Sequence, residues 1–230
     1  MNNNELKIMV STNFKLVRAS QLSLDDDFLK YTPKTEEEED FMFDVEEVIK
    51  KGVSDFWRPI CDPSFDENGR ICYHPGWMPA VDKSYSWWAS NARVFYPERG
   101  SRLGTDFEYI AFLAVIIKEL VASGKSIEWA WDAVCNDSKE LGHYDNSQNV
   151  IDKYHLEPTG SREICGWYDL ANTSKILAVA KEEDAGTFRW ASGNCSISGN
   201  ELPLAFLSYH NDRSYNFCCC SGWIVLTEAP

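Results

Sequence analysis

The segment TDFEYIAFLAVIIKELVASG, residues 105–124, restricts the folds open to this 230-residue chain more than any other feature. Thr105 followed by Glu108 is the pattern of a capping box at a helix start, and Gly124 is typical of a helix end. Between them, apolar residues occupy most of the circumference of the predicted helix. A helix that is apolar on nearly all sides must be buried. We therefore expect the other elements to pack around it.

Two further helices and several strands are predicted around this segment. Residues 35–52 begin with a second capping box, Thr35 with Glu38, and end at Gly52, while Ser126 caps a short helix in IEWAWDAVCND (127–137). Strands are predicted in LKIMVST (Leu6–Thr12), RICYH (70–74), ARVFY (92–96), TSKILAVAKEE (173–183), TFRWASG (187–193) and GWIVL (222–226). Since the helices precede most strands instead of alternating with them, we expect an α+β fold.

The charge balance and the hydropathy exclude several classes of partner. The net charge of −14 disfavours nucleic acid, a polyanion bound mainly by Lys and Arg. The longest apolar run, YIAFLAVII (109–117), has about half the length needed to cross a bilayer. The N-terminus MNNNELKIMVST has neither a basic nor an apolar leader region. The sequence thus predicts no membrane insertion and cytoplasmic synthesis without a signal peptide, unless the protein leaves within a larger particle such as a virion.

Motifs that carry enzymatic chemistry are not found. The four histidines lack metal-ligand spacing with one another, and the sequence has no G-x-S-x-G, H-E-x-x-H or complete phosphate-binding loop. Of the eight cysteines, three are adjacent (Cys218, Cys219 and Cys220), which cannot present thiolates to zinc as a C-x-x-C knuckle does. Buried or incidental thiols are therefore expected. We predict no catalytic residue, no metal and no cofactor.

The composition changes abruptly between residues 191 and 222. Of the five residue types Lys, Glu, Gln, Met and Trp, this stretch contains only Glu201. Apart from Glu201, the amino acids in this stretch can all be encoded by codons ending in a pyrimidine, whereas Lys, Glu, Gln, Met and Trp cannot. The stretch therefore has the composition expected if the first two bases of many codons had been randomised.

Six sequence segments are informative beside this bias: four precede the stretch, one lies within it and one overlaps its end. They are FWRPICDPS (56–64), YSWWASNARVFYPERGSRLGTDFEYIAFLAVIIKELV (85–121), WDAVCNDSKELGHY (131–144), EPTGSREICGWYDLANTSKILA (157–178), PLAFL (203–207) and SGWIVL (221–226). Together with the biased stretch, they resemble the variable proteins of diversity-generating retroelements from gut bacteria and their phages. In these systems, adenines of a template are copied with errors, so that AAY codons of the target gene become NNY.

The resemblance implies a C-type-lectin fold, in which paired N- and C-terminal strands and two helices support long irregular segments that form a ligand face. It assigns Leu6–Thr12 and Trp223–Leu226 to the paired strands. The residues carried over as diversified, ligand-binding positions are Asn194, Cys195, Ser196, Ile197, Ser198, Gly199, Asn200, Phe206, Ser208, Tyr209, His210, Asn211, Arg213, Ser214, Tyr215, Asn216, Phe217, Cys218, Cys219 and Cys220. Pro203 and Leu204 are expected to be an anchor between two variable blocks, and Trp190 and Trp223 to support the face from beneath.

The expected organisation is one domain over residues 1–230. It comprises an N-terminal strand and helix segment (1–75), a scaffold (76–190), a variable region (191–222) and a closing strand with tail (223–230). The expected function is non-catalytic recognition of a protein or glycan ligand on a cell surface, with the oligomeric state open. Two alternatives with the same broad fold stay open: an enzyme of the formylglycine-generating type, and a calcium-dependent lectin, for which NELP (200–203) is a weak match.

Overall fold

A computed structural model describes residues 13–75, 80, 83–141, 163–168, 170, 175–179, 188–191, 204–205, 207–210, 216–217 and 220–230. These residues form four α-helices: α1 (Glu36–Lys51), α2 (Tyr85–Phe95), α3 (Asp106–Ala122) and α4 (Ile127–Cys135). They also form short strands: β1 (Phe14–Val17), β2 (Phe56–Pro59), β3 (Ser64–Phe65), β4 (Ile71–Cys72), β5 (Lys83–Ser84), β6 (Arg102–Leu103), β7 (Glu163–Ile164), β8 (Trp167–Tyr168), β9 (Lys175–Val179), β10 (Phe188–Ala191), β11 (Leu207–His210), β12 (Asn216–Phe217), β13 (Cys220–Gly222) and β14 (Ile224–Val225). The α+β class is confirmed.

The central helix forms as the sequence predicts. The Thr105 hydroxyl accepts the Glu108 amide N–H, and the Glu108 carboxylate accepts the Thr105 N–H at 2.8 Å, which completes the capping box. Twelve of the seventeen residues of α3 are buried. Because α1, α4 and strands β9 and β10 all lie against α3, the helix is the centre of the main hydrophobic core.

The other two predicted helices are confirmed, with one difference in capping. Helix α4 begins after Ser126, whose hydroxyl accepts the Trp129 N–H. At α1, Thr35 accepts the Glu38 N–H as expected. The Glu38 carboxylate, however, accepts from the Lys34 N–H and the Tyr31 hydroxyl. The reciprocal half of the predicted capping box is therefore replaced by a buried network, since Glu38 lies against the core.

The predicted strand ARVFY (92–96) is wrong, because residues 92–95 belong to helix α2. The Ser84 hydroxyl caps this helix by accepting the Trp87 N–H at 3.1 Å. Tyr85, Trp88 and Ala92 then fall on one buried face at helical spacing, while Val94 is 70% exposed. Burial of that face outweighs the strand preference of the β-branched and aromatic residues near its end.

The strands form small sheets, most of them antiparallel pairs. The predicted strand at 70–74 is confirmed as β4, and those at 173–183 and 187–193 are confirmed as β9 and β10. The largest sheet has four strands in the order β11-β10-β9-β13, with β13 parallel to β9. This sheet carries the described parts of the C-terminal region.

In the described part of the chain, the C-terminal strand contacts β6 and β2. Strand β14 pairs with β6, and Leu226 exchanges two backbone hydrogen bonds with Trp57 of β2. The first strand in the described chain, β1, pairs with β2. Leu6–Thr12 lies outside the described residues. The pairing of Leu6–Thr12 with the C-terminal strand therefore stays a prediction, while β1 is separated from the C-terminal residues by β2.

The core combines one large cluster and two smaller ones. Trp131 of α4 lies at the centre of one aromatic group, with ring centroids 5.4 Å from Tyr31 and 5.8 Å from Phe41. Trp88 is fully buried in a second cluster, beside strand β6. In the parts of the chain that are described, no helix has the length and apolar character needed to span a bilayer.

Candidate ligand-binding surface

The predicted variable positions fall partly on described backbone. Ser208, Tyr209 and His210 lie in β11, Asn216 and Phe217 in β12, and Cys220 in β13. The other predicted positions lie outside the described residues: Asn194–Asn200, Phe206, Asn211, Arg213–Tyr215, Cys218 and Cys219. We call residues 194–220 the variable segment.

Leu204 fixes the middle of the variable segment to the core. Its side chain is 1% exposed and belongs to the main core cluster. Its carbonyl accepts the Tyr109 hydroxyl at 3.1 Å, and its N–H donates to the Ser138 Oγ at 3.0 Å. The N–H of Ala205 donates to the Val134 carbonyl at 3.1 Å. The prediction that Leu204 is an anchor is confirmed, whereas Pro203 lies outside the described residues.

A second fixed point follows the variable segment directly. Gly222 lies against the ring of Trp88, and a Cβ atom at this position would overlap that ring. Trp223 is 3% exposed and packs edge-on against Phe56 and Tyr109, with centroids 5.8 and 5.4 Å away. Trp223 is thus part of the core, and its expected role beneath the variable side chains, shared with Trp190, stays a prediction. The chain therefore enters the rigid core within two residues of the last predicted variable position.

The backbone ladder attaches the variable segment to three different elements. Strand β11 pairs with β10, so that Tyr209 lies opposite Arg189 and Ser208 opposite Trp190. Strand β12 leaves this sheet and pairs with β5. Strand β13 returns to the sheet at the edge opposite β11 and pairs with β9. The segment thus runs from one edge of the sheet to the other, with an intermediate attachment at β5.

Strand β5 brings a cationic and aromatic cluster next to β12, and sequence reasoning missed it. The Lys83 ammonium lies 5.6 Å from the centroid of Phe65 and 5.5 Å from that of Trp87. The two rings meet edge-to-face at 5.8 Å. All three side chains are partly exposed. The density of aromatic residues after the cap at Ser84 was the sequence signal available for this cluster.

Charged groups among β1, β2, β8 and α3 stabilise the scaffold. Arg58 is buried, and its guanidinium lies 4.2 Å from the ring centroid of Phe112 and 5.3 Å from that of Trp167. Burial lowers the pKa of Arg58, because desolvation disfavours its charged form. The Lys15 ammonium lies 4.6 Å from the ring centroid of Trp167 and pairs with Glu119 at 2.9 Å. These contacts join β1, β2 and β8 to α3.

The thiols whose side chains are described lack the features of activated nucleophiles. Cys61, Cys72 and Cys135 are buried and Cys165 is partly exposed, and none of these four forms a disulfide. Burial raises the pKa of Cys72 to about 11 and also raises the pKa of Cys135 and Cys165. A thiol that stays protonated is a poor nucleophile and a poor metal ligand. Within the described part of the chain, no group of three or more His, Cys, Asp or Glu side chains is arranged to hold a metal ion.

Comparisons of the chain with models of protein families, with curated proteins and with solved structures return no match. Function is therefore inferred from the sequence pattern and from the geometry of the variable segment.

Proposed function

We propose that this chain is a non-catalytic binding protein of the kind diversified by retroelements, with a C-type-lectin-like fold. The variable segment is its ligand-binding surface. The ligand is a protein on a cell surface, contacted by side chains that differ between copies of the gene.

The observation that carries the proposal is where the backbone of the C-terminal region is attached to the core, at Leu204 and at Gly222. Leu204 is buried in the core and Gly222 lies against the ring of Trp88, and neither is among the predicted diversified positions. Leu204 separates two compositionally biased blocks, and Gly222 follows the second block. Attachment at such points allows side chains between them to change while the backbone path is kept.

The architecture supports the lectin-like assignment at a coarse level. The described chain is α+β, its sheets are small, and helix α3 lies against strands β9 and β10. The C-terminal strand lies between β6 and β2, and β2 also binds the first described strand. Both ends of the described chain therefore meet at one strand, close to the arrangement that the resemblance implies.

The residue types of the variable segment suit protein recognition. Tyr209, Tyr215 and Phe217 offer large contact area with few rotatable bonds, while Ser, Asn, His and Asp residues offer adaptable hydrogen bonds. Antibody loops use the same combination.

A display library tests this function. We would randomise the diversified positions with NNY codons, display the whole chain and select binders to purified lysozyme. The proposal expects folded library members that bind lysozyme with affinities that differ from one variable segment to another.

The matched control is a second library that randomises six exposed positions of α1: Glu36, Glu37, Glu39, Asp40, Phe43 and Lys50. A solvent-exposed helix face without diversified positions should yield no binders. The proposed function is wrong if the variable segment gives none, or if the α1 library is equally productive.

A further inference from the structure

The cluster of Phe65, Lys83 and Trp87 lies directly beside the variable segment. In the β5–β12 ladder, Lys83 is opposite Phe217 and Ser84 is opposite Asn216. Directly opposed residues of antiparallel strands have Cβ atoms about 5 Å apart. Any residue that diversification places at 217 is therefore an immediate neighbour of the cluster.

The cluster is attached to the core without being part of its buried interior. Trp88, the next residue along α2, is fully buried and meets the Trp87 ring edge-to-face at 5.0 Å. Trp87 and Phe65 themselves are partly exposed and pack against the outside of that core cluster. The rings are thus rigidly held and still have accessible surface.

The ammonium group of Lys83 makes cation–π contacts with two aromatic rings. Among the described residues, the ammonium contacts the faces of Phe65 and Trp87 and forms no ion pair with a carboxylate. A cation above a ring is held by the ring's quadrupole. A lysine has three N–H donors, so this ammonium retains donors that an incoming acceptor can use.

We propose that Phe65, Lys83 and Trp87 form a constant part of the ligand-binding surface, present in every diversified copy. This inference rests on the proposed function. The partner that fits it is a protein surface with an apolar side chain next to a carboxylate: the apolar group packs on the rings, and the carboxylate accepts from Lys83. Between apolar rings this ion pair is partly shielded from water, which strengthens it.

The benefit of a constant contact follows from how interfaces distribute energy. A few anchored residues, with Trp prominent among them, carry most of the binding free energy, and surrounding contacts adjust specificity. Residues 65, 83 and 87 lie outside the variable segment. They can therefore supply an invariant anchor, while the diversified positions determine which protein is bound.

Two substitutions in the selected lysozyme binders test the inference. Trp87→Ala should weaken binding about 30-fold, as expected for loss of an aromatic hot spot. Lys83→Met keeps the aliphatic stem over the rings and removes the charge, so binding should weaken roughly 3- to 5-fold and become less sensitive to salt. Val94→Ala, at an exposed position of the same helix, is the matched control and should leave affinity unchanged.

The possible outcomes separate the inference from the proposed function. Binders that keep their affinity in both the Trp87 and Lys83 variants would overturn the constant contact and leave the proposed function intact. A library that yields no binders overturns both. Thermal unfolding of each variant shows whether it is folded, and Lys83→Met provides the decisive comparison if Trp87→Ala is not.

Discussion

Replacing Trp223 with alanine should destabilise the protein by about 3–5 kcal/mol, the range for deletion of a large buried aromatic side chain. The ring is 3% exposed, meets Phe56 and Tyr109 edge-on, and covers Gly104, where a Cβ atom would overlap it. Removal leaves a cavity at the junction of β13 and β14. Because small domains are stable by only about 5–15 kcal/mol, a large part of the folded population should be lost on mild heating.

Urea unfolding of the variants Trp223→Ala, Trp223→Phe and Trp129→Ala, each compared with the unsubstituted protein, measures this effect. Trp223→Phe should cost much less than Trp223→Ala, because it keeps an aromatic ring, and the Trp223 Nε1 has no hydrogen-bond partner among the described residues. Trp129→Ala makes the same deletion at a partly exposed position and should cost roughly 1 kcal/mol. If Trp223→Ala and Trp129→Ala have equal midpoints, Trp223 is not a fixed point of the scaffold.

Leu204→Ala should lower the free energy of unfolding by about 2–5 kcal/mol, although Leu204 lies in the middle of the variable segment. The side chain is buried in the main core. The backbone bonds from Tyr109 and to Ser138 do not depend on the leucine side chain, so the loss comes from packing. Leu24→Ala is the matched control: the same atoms are removed from a side chain that is 48% exposed, and the change should stay within roughly 0.5 kcal/mol.

The neighbouring diversified positions should behave in the opposite way. A double variant, Tyr209→Ser with Phe217→Ser, should change unfolding by no more than roughly 1 kcal/mol, since display surfaces contribute little to the core. Equal destabilisation by this double variant and by Leu204→Ala would mean that Tyr209 and Phe217 are core residues, and a diversified surface could not include them.

The sequence predicted the elements whose signals are local. The capping box at Thr105, the cap at Ser126 and the glycine at 52 are each read within a few residues, and helices α1, α3 and α4 have the bounds that these signals imply. The anchor at Leu204 was expected from the resemblance, which places Pro203 and Leu204 between two variable blocks; no local signal predicts its partner Tyr109, which lies far away in the sequence.

The strand partners of the C-terminal residues, helix α2 and the aromatic cluster at Lys83 were not predicted. They depend on contacts between distant residues or on burial that outweighs local strand preference. No local pattern specifies that Leu226 bonds with Trp57, since the two residues lie far apart in the sequence. Helix α2 was missed because Val94 and Phe95 favour strands locally, whereas burial of Trp88 and Ala92 decides the outcome. The aromatic cluster at Lys83 depends on that helix and was missed with it.

Sequencing this gene in closely related genomes tests the central claim most directly, because it asks whether the backbone anchors and the variable positions are under different constraints. We expect differences concentrated in the codons for residues 194–200, 206, 208–211 and 213–220, with the codons for Leu204, Gly222, Trp223 and helix α3 unchanged. A near-copy of the 190–226 coding region beside a reverse transcriptase gene should carry adenines at the variable codons. Variation spread evenly over the variable segment and the helices would contradict the account.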